Sequence, residues 1–135
     1  MTLFGQEHVD RYQATDGAEG HDWLKGTTIL LLTTSGRKTG NKTTTPLIYT
    51  LDGDNPVVVA SKGGAPEHPG WYLNMLKTPH IDVQIKGETF HAHPRTAEGE
   101  ERERLWKQMA VAWPDYDEYQ TKTDRKIPVV VLERG

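Results

Sequence analysis

Two short, cationic, glycine-containing loops are the residues best suited to chemistry in this sequence. The first covers residues 35–42 and carries Arg37, Lys38 and Lys42 without an acidic residue, and the second is Ser61-Lys62-Gly63-Gly64. Glycine lets backbone N–H groups approach an anion closely, while Lys and Arg add positive charge. The pair predicts a site for a small molecule that carries phosphate.

The first loop comes close to the P-loop of nucleotide-binding proteins. Residues 36–43 read GRKTGNKT, but Asn41 stands where the second glycine of a P-loop belongs, and the strand-like segment TTTPLIYT follows. Because a P-loop must open a helix that helps to hold the phosphates, the sequence argues against an NTPase. Taken alone, this loop is also typical of a solvated hairpin turn.

Aromatic residues follow both loops and are suited to holding a planar ring. Trp71 and Asn74 lie at the start of a predicted helix, and Trp113, Tyr116 and Tyr119 are spaced i, i+3, i+6. Ordinary core packing is the alternative interpretation of Trp71. Trp113, Tyr116 and Tyr119 lie among acidic residues and a proline, which favours partial exposure. A position in a pocket wall is therefore as good an interpretation of these three residues as core packing.

No side-chain set predicts a metal site or a nucleophile. His91 and His93 share one face of a predicted strand, but no third ligand accompanies them, so we interpret them as solvent-facing. Asp52-Gly53-Asp54-Asn55 is a turn that is too short for a calcium loop. The sequence has no cysteine, and no Ser–His–Asp arrangement can be argued from spacing. A cofactor would therefore have to bring the chemistry.

Length and charge narrow the class of protein. The chain has 135 residues, enough for one domain, and its formal net charge of −3 argues against a nucleic-acid binder. It contains no apolar run near the roughly 20 residues that cross a bilayer. Without a secretory signal or cysteine, we expect a cytoplasmic protein, with peripheral membrane contact left open.

The elements that position these loops are mostly strands. Six are predicted: Thr28–Thr34, Asn41–Leu51, Pro56–Ala60, Ile81–Ile85, Thr89–His93 and Ile127–Leu132. A helix is predicted over Gly70–Lys77, and a second one begins at Thr96 as N-cap. Short turns between the strands indicate a small antiparallel barrel with flanking helices. Residues 1–26 are predicted to form a lid or flexible segment, and residues 27–135 the barrel domain.

Four stretches carry a resemblance to a known family: LLLTTSGRKTGNKTTTPLIYTLDG, VVVASKGGAPEHPGWYLN, PHIDVQIK and AWPDYDEYQTKTDRKIPVVVLE. Together they resemble the deazaflavin-dependent nitroreductase family of actinobacteria, which uses coenzyme F420, over residues 27–134. The resemblance implies a mainly β fold with flanking helices, a split β-barrel like that of FMN-binding proteins. It also implies F420 as the cofactor.

The same resemblance assigns site residues. Those implied for the phosphate and oligoglutamate tail of the cofactor are Arg37, Lys38 and Thr39. Those implied for the deazaflavin ring and polyol are Thr43, Thr44, Thr45, Pro46, Leu47 and Ile48. Those implied to close around ring and phosphate are Val59, Ala60, Ser61, Lys62, Gly70, Trp71 and Asn74. The implied substrate pocket is formed by Ile48, Trp113, Tyr116 and Tyr119.

Two departures from the family pattern bear on the substrate. Thr43 replaces a basic residue of the nitroreductase prototype, although the neighbouring Lys42 can compensate. Ile48 and Trp113 stand where that enzyme has tyrosines, which argues against activation of nitroimidazoles. Quinones or activated alkenes (enones) remain as acceptors, because the cofactor-facing residues are kept.

These observations predict an oxidoreductase that transfers a hydride from reduced F420 (F420H2) to a small-molecule quinone or enone, with nitro compounds as a further class. Tyr116 and Ser61 are the expected catalytic hydrogen-bond donors. Two alternatives stay open: an FMN-dependent split-barrel oxidoreductase, and a carrier that binds F420 without reacting. The sequence leaves monomer or homodimer open.

Overall fold

The computed structural model describes residues 2–135. Its helices are α1 (Gly5–Thr15), α2 (Gly70–Lys77), α3 (Gly99–Ala112) and α4 (Asp115–Thr121). Its strands are β1 (Thr28–Ser35), β2 (Lys42–Asp52), β3 (Asn55–Val59), β4 (Ile81–Ile85), β5 (Glu88–Thr96) and β6 (Val129–Arg134). Two single 3₁₀ turns occupy Leu24–Gly26 and Lys62–Gly64.

The six strands form a closed antiparallel barrel in the order β1-β2-β3-β6-β5-β4. It consists of two three-stranded meanders, β1–β2–β3 and β4–β5–β6, which are joined by the pairs β3–β6 and β1–β4. The predicted fold class, a mainly β split barrel with flanking helices, is confirmed. Within residues 2–135, closure pairs the edge strands of the two meanders with each other over three residues at each junction.

Strands β1, β3 and β6 each contain an uninterrupted apolar run, at residues 29–32, 56–59 and 129–132, because both faces of these segments are buried. Leu30, Val58 and Val130 point into the barrel, whereas their neighbours Ile29 and Val129 lie against covering helices. Helix α1 covers β1, and helices α3 and α4 cover β3 and β6. Period-two alternation is therefore absent from these strands, whereas β4 alternates as predicted.

Helix α2 closes one end of the barrel. Trp71, Tyr72 and Met75 belong to the same buried cluster as the interior strand residues. The helix begins after Pro69, whose φ of −64° suits a helix start. Its position brings the aromatic face of α2 to the end of the barrel where both cationic loops lie.

The N-terminal segment is a helix that is bound to the barrel. Val9 and Tyr12 are buried against β1, and the Tyr12 hydroxyl donates to Ile29 O at 2.9 Å and accepts from Lys86 N–H at 2.8 Å. The sequence pattern of this segment is weak because polar groups fill part of its buried face. Whether it also acts as a lid stays a prediction.

The prediction that Thr96 is the N-cap of α3 is wrong. Thr96 is the last residue of β5 and pairs with Val130, and Ala97 N–H donates to Val129 O at 2.8 Å. The sheet ladder therefore continues past Thr96, and Glu98 takes the N-cap position. The tyrosine segment after Pro114 forms α4, so three helices lie outside residues 1–26 rather than the two predicted there.

Candidate cofactor and substrate site

A cavity lies beside a split in the barrel wall. Strand β2 pairs with β1 along Lys42–Tyr49, but it pairs with β3 only from Thr50 to Asp52. One edge of the first part of β2 is thus free of β3, which explains how Pro46 is accommodated within the strand. The cavity beside this edge has a volume of about 350 Å³, a size typical of small ligand sites.

The cavity brings together residues from five parts of the chain. Of the predicted site residues, it is lined by Pro46, Leu47, Ile48, Val59, Ser61, Lys62, Trp71, Trp113, Tyr116 and Tyr119. These residues come from β2, β3, the following loop, α2 and the α3–α4 region. The predicted ring-binding residues and the predicted substrate-pocket residues therefore share one cavity.

The second cationic loop has the backbone geometry of an anion-binding nest. Ser61 is right-handed helical (φ −81°, ψ −40°), and Lys62 is left-handed (φ 46°). This alternation turns successive N–H groups to one side. The N–H groups of Lys62 and Gly63 donate to no partner within residues 2–135, and the Lys62 ammonium lies 3.2 Å from Glu67. The predicted nest at Ser61–Gly64 has the geometry that anion binding needs.

The first cationic loop is fixed to α2 by Asn74. The buried Asn74 Oδ1 accepts from the Arg37 backbone N–H at 3.1 Å and from Arg37 Nη1 at 3.0 Å, while its Nδ2 donates to Thr34 Oγ1 at 3.1 Å. Gly70 O and Lys77 Nζ also contact Arg37. Both ends of the Asn74 amide are thus used inside the protein, so Asn74 holds the loop in place.

The remaining predicted cofactor residues lie outside the cavity lining. Lys38, Thr39 and Thr43 are exposed on the loop and at the start of β2. Thr44 bonds to Thr33 across the β1–β2 ladder, and Thr45 is its half-buried neighbour. Ala60 is fully buried in the barrel core. The exposed members are accessible to the tail of a ligand that extends out of the cavity.

Tyr116 presents a phenol to the cavity. The residue is 5 % exposed, and its hydroxyl has no hydrogen-bond partner within the described chain, yet it is not sealed from solvent. Burial, reinforced by the neighbouring Tyr119, raises the pKa of the Tyr116 phenol. Tyr116 is therefore a neutral donor at physiological pH that has a free hydrogen bond to give.

Aromatic residues form the outer wall of the cavity. Trp113 stacks on Trp23 with ring centroids 5.9 Å apart, and Lys25 lies 4.9 Å above the Trp113 ring. Trp113 Nε1 also donates to the Tyr119 hydroxyl at 3.4 Å. Phe4 packs edge-on against Trp23 at 5.5 Å. The wall is built from the N-terminal segment and the α3–α4 region.

Sequence reasoning missed the N-terminal lining residues. Phe4, Gly5, His8 and Trp23 border the cavity. The segment 1–26 was predicted to be a lid or flexible segment, but none of its residues was among the predicted site residues. The stack of Trp23 on Trp113 joins positions 90 residues apart, which no local spacing reports. The aromatic residues Phe4 and Trp23 in a mostly polar segment were the available signal.

The predicted solvent exposure of His91 and His93 is confirmed, and His91 bonds to Asp82. Within residues 2–135, no group of three or more His, Cys, Asp or Glu side chains is arranged to hold a metal ion.

The longest helix described, α3, has 14 residues, and no helix in residues 2–135 is long and apolar enough to cross a membrane.

The fold and site define a split β-barrel protein suited to an anionic cofactor with a planar ring. The profile of the F420H2-dependent quinone reductase family matches residues 4–134. This chain belongs to that family of oxidoreductases, whose cofactor is reduced F420. The nest with unpartnered N–H groups and the apolar slot beside β2 fit the phosphate and the ring of such a cofactor.

Individual relatives agree with the family. An F420H2-dependent quinone reductase of Mycobacterium tuberculosis (strain H37Rv) is 40 % identical over 130 residues, which cover 94 % of this chain and 87 % of the relative. A solved F420H2-dependent reductase is 46 % identical, covers 78 % of this chain and 93 % of its own, and superposes with a TM-score of 0.72. A structure described as a domain-swapped dimer is 42 % identical, covers 95 % and 96 % of the two chains, and has a TM-score of 0.76.

Proposed function

We propose that this protein transfers a hydride from F420H2 to a quinone. The observation that carries the proposal is the unpartnered Tyr116 hydroxyl on the wall of a largely apolar cavity, with a backbone anion nest on the same cavity. Such a cavity accommodates two planar rings and supplies a donor to a developing oxyanion. The family name and the similar quinone reductases support quinones as the acceptor class.

The two loops would bind the anionic part of the cofactor. The N–H groups of Ser61, Lys62 and Gly63 would donate to its phosphate. The exposed Lys38 and the half-buried Arg37 side chains would attract the carboxylates of its tail. Thr39 and Thr43 add hydroxyl groups beside these cations. This arrangement leaves the apolar slot between Pro46–Ile48 and Trp71 for the ring.

Bound F420H2 would supply a hydride to the acceptor ring. As the hydride arrives, negative charge grows on the acceptor oxygen, and Tyr116 donates a hydrogen bond to that oxygen. Ser61, whose side chain lines the same cavity, is the second donor. Because burial raises the pKa of Tyr116, this phenol donates a hydrogen bond without giving up its proton, and water delivers the final proton.

The aromatic wall favours flat acceptors. Ile48, Trp113 and Tyr119 would sandwich a quinone ring, and the Trp23–Trp113 stack excludes water from it. Enones present a similar carbonyl and are the second acceptor class. Nitro compounds rank last, because Ile48 carries no donor and the Trp113 indole N–H already donates to the Tyr119 hydroxyl.

A binding titration tests the cofactor assignment. F420 fluorescence is titrated with the purified protein, and FMN is then added as competitor. We expect saturable F420 binding that excess FMN does not reverse. Displacement by FMN at lower concentration than F420 would instead support an FMN-dependent enzyme. At saturating F420H2, menadione, cyclohexenone and a nitroimidazole are then compared as acceptors, and we expect turnover in that order.

The proposed assembly is a homodimer. The likeness to a domain-swapped dimer with 42 % identity supports it. Light scattering coupled to gel filtration measures the mass in solution directly. A mass near twice 15.2 kDa is expected, and a mass of one chain at all concentrations would contradict it.

A further inference from the structure

Arg125 makes an unusual set of contacts with the nest loop. Its Nε donates to Ala65 O at 2.8 Å, Nη1 to Ala60 O at 3.2 Å and Nη2 to Ser61 O at 2.7 Å. Nη1 also lies 3.0 Å from His68 Nδ1. One guanidinium thus contacts both ends of the segment that contains the nest, although Arg125 lies sixty or more residues away in sequence.

These contacts fix the direction of the nest N–H groups. In a trans peptide the C=O and the N–H point to opposite sides. Since the carbonyls of Ala60 and Ser61 turn towards Arg125, the N–H groups of Ser61 and Lys62 turn away from it. Ser61 and Lys62 line the cavity, and neither N–H donates to a partner within residues 2–135.

The loop also needs an external support. Lys62 is a non-glycine residue in the left-handed region, with φ 46°, a conformation that costs roughly 1–2 kcal/mol. Strain of this kind persists only where surrounding contacts determine it. Arg125 has the rigid, planar fork of donors that can bind several carbonyls at once, which a lysine lacks.

The Arg125 guanidinium also fixes the protonation state of His68. An arginine offers only donors, so His68 Nδ1 must accept and its ring must be neutral. Burial, and after it the Arg125 charge, lowers the pKa of His68 in agreement with that assignment. His68 is therefore a further hydrogen-bond acceptor for Arg125 besides the loop carbonyls.

We propose that Arg125 is a positioning residue for the cofactor's phosphate, because it fixes the Ser61–Lys62 nest with its N–H groups facing the cavity. It acts through the loop backbone and need not touch the ligand. The proposal rests on the proposed function in assuming that the nest binds F420. It adds a determinant of cofactor affinity that lies outside the cavity.

The test compares Arg125→Lys with a matched control, Arg134→Lys. Arg134 also anchors a turn, donating to Asp54 O at 3.0 Å at the opposite end of β3, and lies outside the cavity lining. Two quantities are measured on each full-length variant: the F420 dissociation constant, and the hydrogen–deuterium exchange of residues 60–66 without ligand.

We expect Arg125→Lys to accelerate exchange in 60–66 and to weaken F420 binding about tenfold, the lower end of what hydrogen bonds to a charged group contribute. The KM for menadione at saturating F420H2 should stay unchanged. Arg134→Lys should alter neither the loop nor the affinity. Thermal unfolding of both variants checks that each is folded.

Three outcomes would overturn the proposal. Unchanged exchange would show that Arg125 does not hold the loop. Faster exchange with unchanged affinity would make Arg125 structural only. An equal loss of affinity in Arg134→Lys would show a general loss of stability. If the wild-type protein fails to bind F420, the proposed function falls, whereas the exchange measurement still decides whether Arg125 fixes the loop.

Discussion

The Tyr116 phenol combines burial with a free hydrogen bond. Most buried hydroxyls in this protein are partnered, as Tyr49 is by His21 Nε2 at 2.9 Å and Tyr12 is by Ile29 O. Tyr116 has no partner within residues 2–135. Because this hydroxyl faces the cavity and is not sealed from solvent, its hydrogen bond is available to a bound ligand.

Tyr116→Phe should therefore lower turnover more than cofactor affinity. Loss of one donor to a developing oxyanion costs on the order of a hundredfold in kcat, while the F420 dissociation constant should hold. Steady-state kinetics with menadione and a fluorescence titration measure the two quantities. Tyr49→Phe is the control for a buried tyrosine away from the cavity. Turnover equal to that of the wild type would show that Tyr116 only forms part of the cavity wall and is not a catalytic donor.

Substitution of Lys38 tests how much the positive charge of the first loop contributes to F420 binding. Lys38 is exposed, and its role would be attraction of the anionic tail. We expect Lys38→Ala to weaken F420 binding about tenfold at low salt and much less at high salt, since exposed charges are screened. Isothermal titration at two ionic strengths measures this, with Lys107→Ala on α3 as control. An affinity independent of Lys38 would refute the tail assignment.

At the scale of elements, the nest loop and α4 are in direct contact. A Cβ placed on Gly64 would lie 2.6 Å from Tyr119 O and 3.1 Å from Lys122 Cβ, and Gly64 has φ +85°. Only glycine allows the loop to approach α4 so closely. This contact fixes the distance between the anion nest and the helix that carries Tyr116 and Tyr119.

Gly64→Ala should destabilise the protein by about 2–4 kcal/mol, combining backbone strain with a clash against backbone. Gly53→Ala provides the matched control, because Gly53 also has positive φ but nothing lies within 4 Å of its Cβ position. It should cost about 1–2 kcal/mol. Urea unfolding measures both values. Equal losses in the two variants would show that the approach to α4 is not restrictive.

Local sequence patterns predict the strands well and the contacts between distant elements poorly. The β-branched, apolar runs of β1, β3 and β6 identify strands buried on both faces, and the glycine and lysine content of Ser61–Gly64 identifies the nest. Helix α1 is weakly patterned because Tyr12 and His8 are buried polar residues with satisfied hydrogen bonds. Arg125 and Trp23 reach the site only through folding of the whole chain.

At the scale of the molecule, three buried tyrosines link stability to alkaline pH. Burial raises the pKa of Tyr12 to about 12 and raises the pKa values of Tyr49 and Tyr116 as well. In the unfolded chain a tyrosine ionises near pH 10. Above that pH the unfolded state releases protons that the folded state retains, so ionisation favours unfolding.

The free energy of unfolding should therefore decline as pH rises above about 10, through the window set by the folded pKa values. Tyrosine ionisation should change the free energy of unfolding little between about pH 7 and 9, because the three side chains stay protonated in both states there. Denaturant unfolding across this range provides the measurement, and Tyr12→Phe should flatten the alkaline slope. If the free energy of unfolding declined equally with alkaline pH in the wild type and in Tyr12→Phe, burial of Tyr12 would not be a cause of the decline.

The whole barrel serves to place the anion nest, the apolar slot and Tyr116 around one cavity. The most direct test is anaerobic mixing of reduced F420 with menadione, with and without the protein, while the absorbance of oxidised F420 is followed. The account predicts protein-dependent reoxidation that is slowed strongly by Tyr116→Phe. Saturable binding of F420H2 without reoxidation by menadione or other quinones would contradict it and identify a carrier of the cofactor.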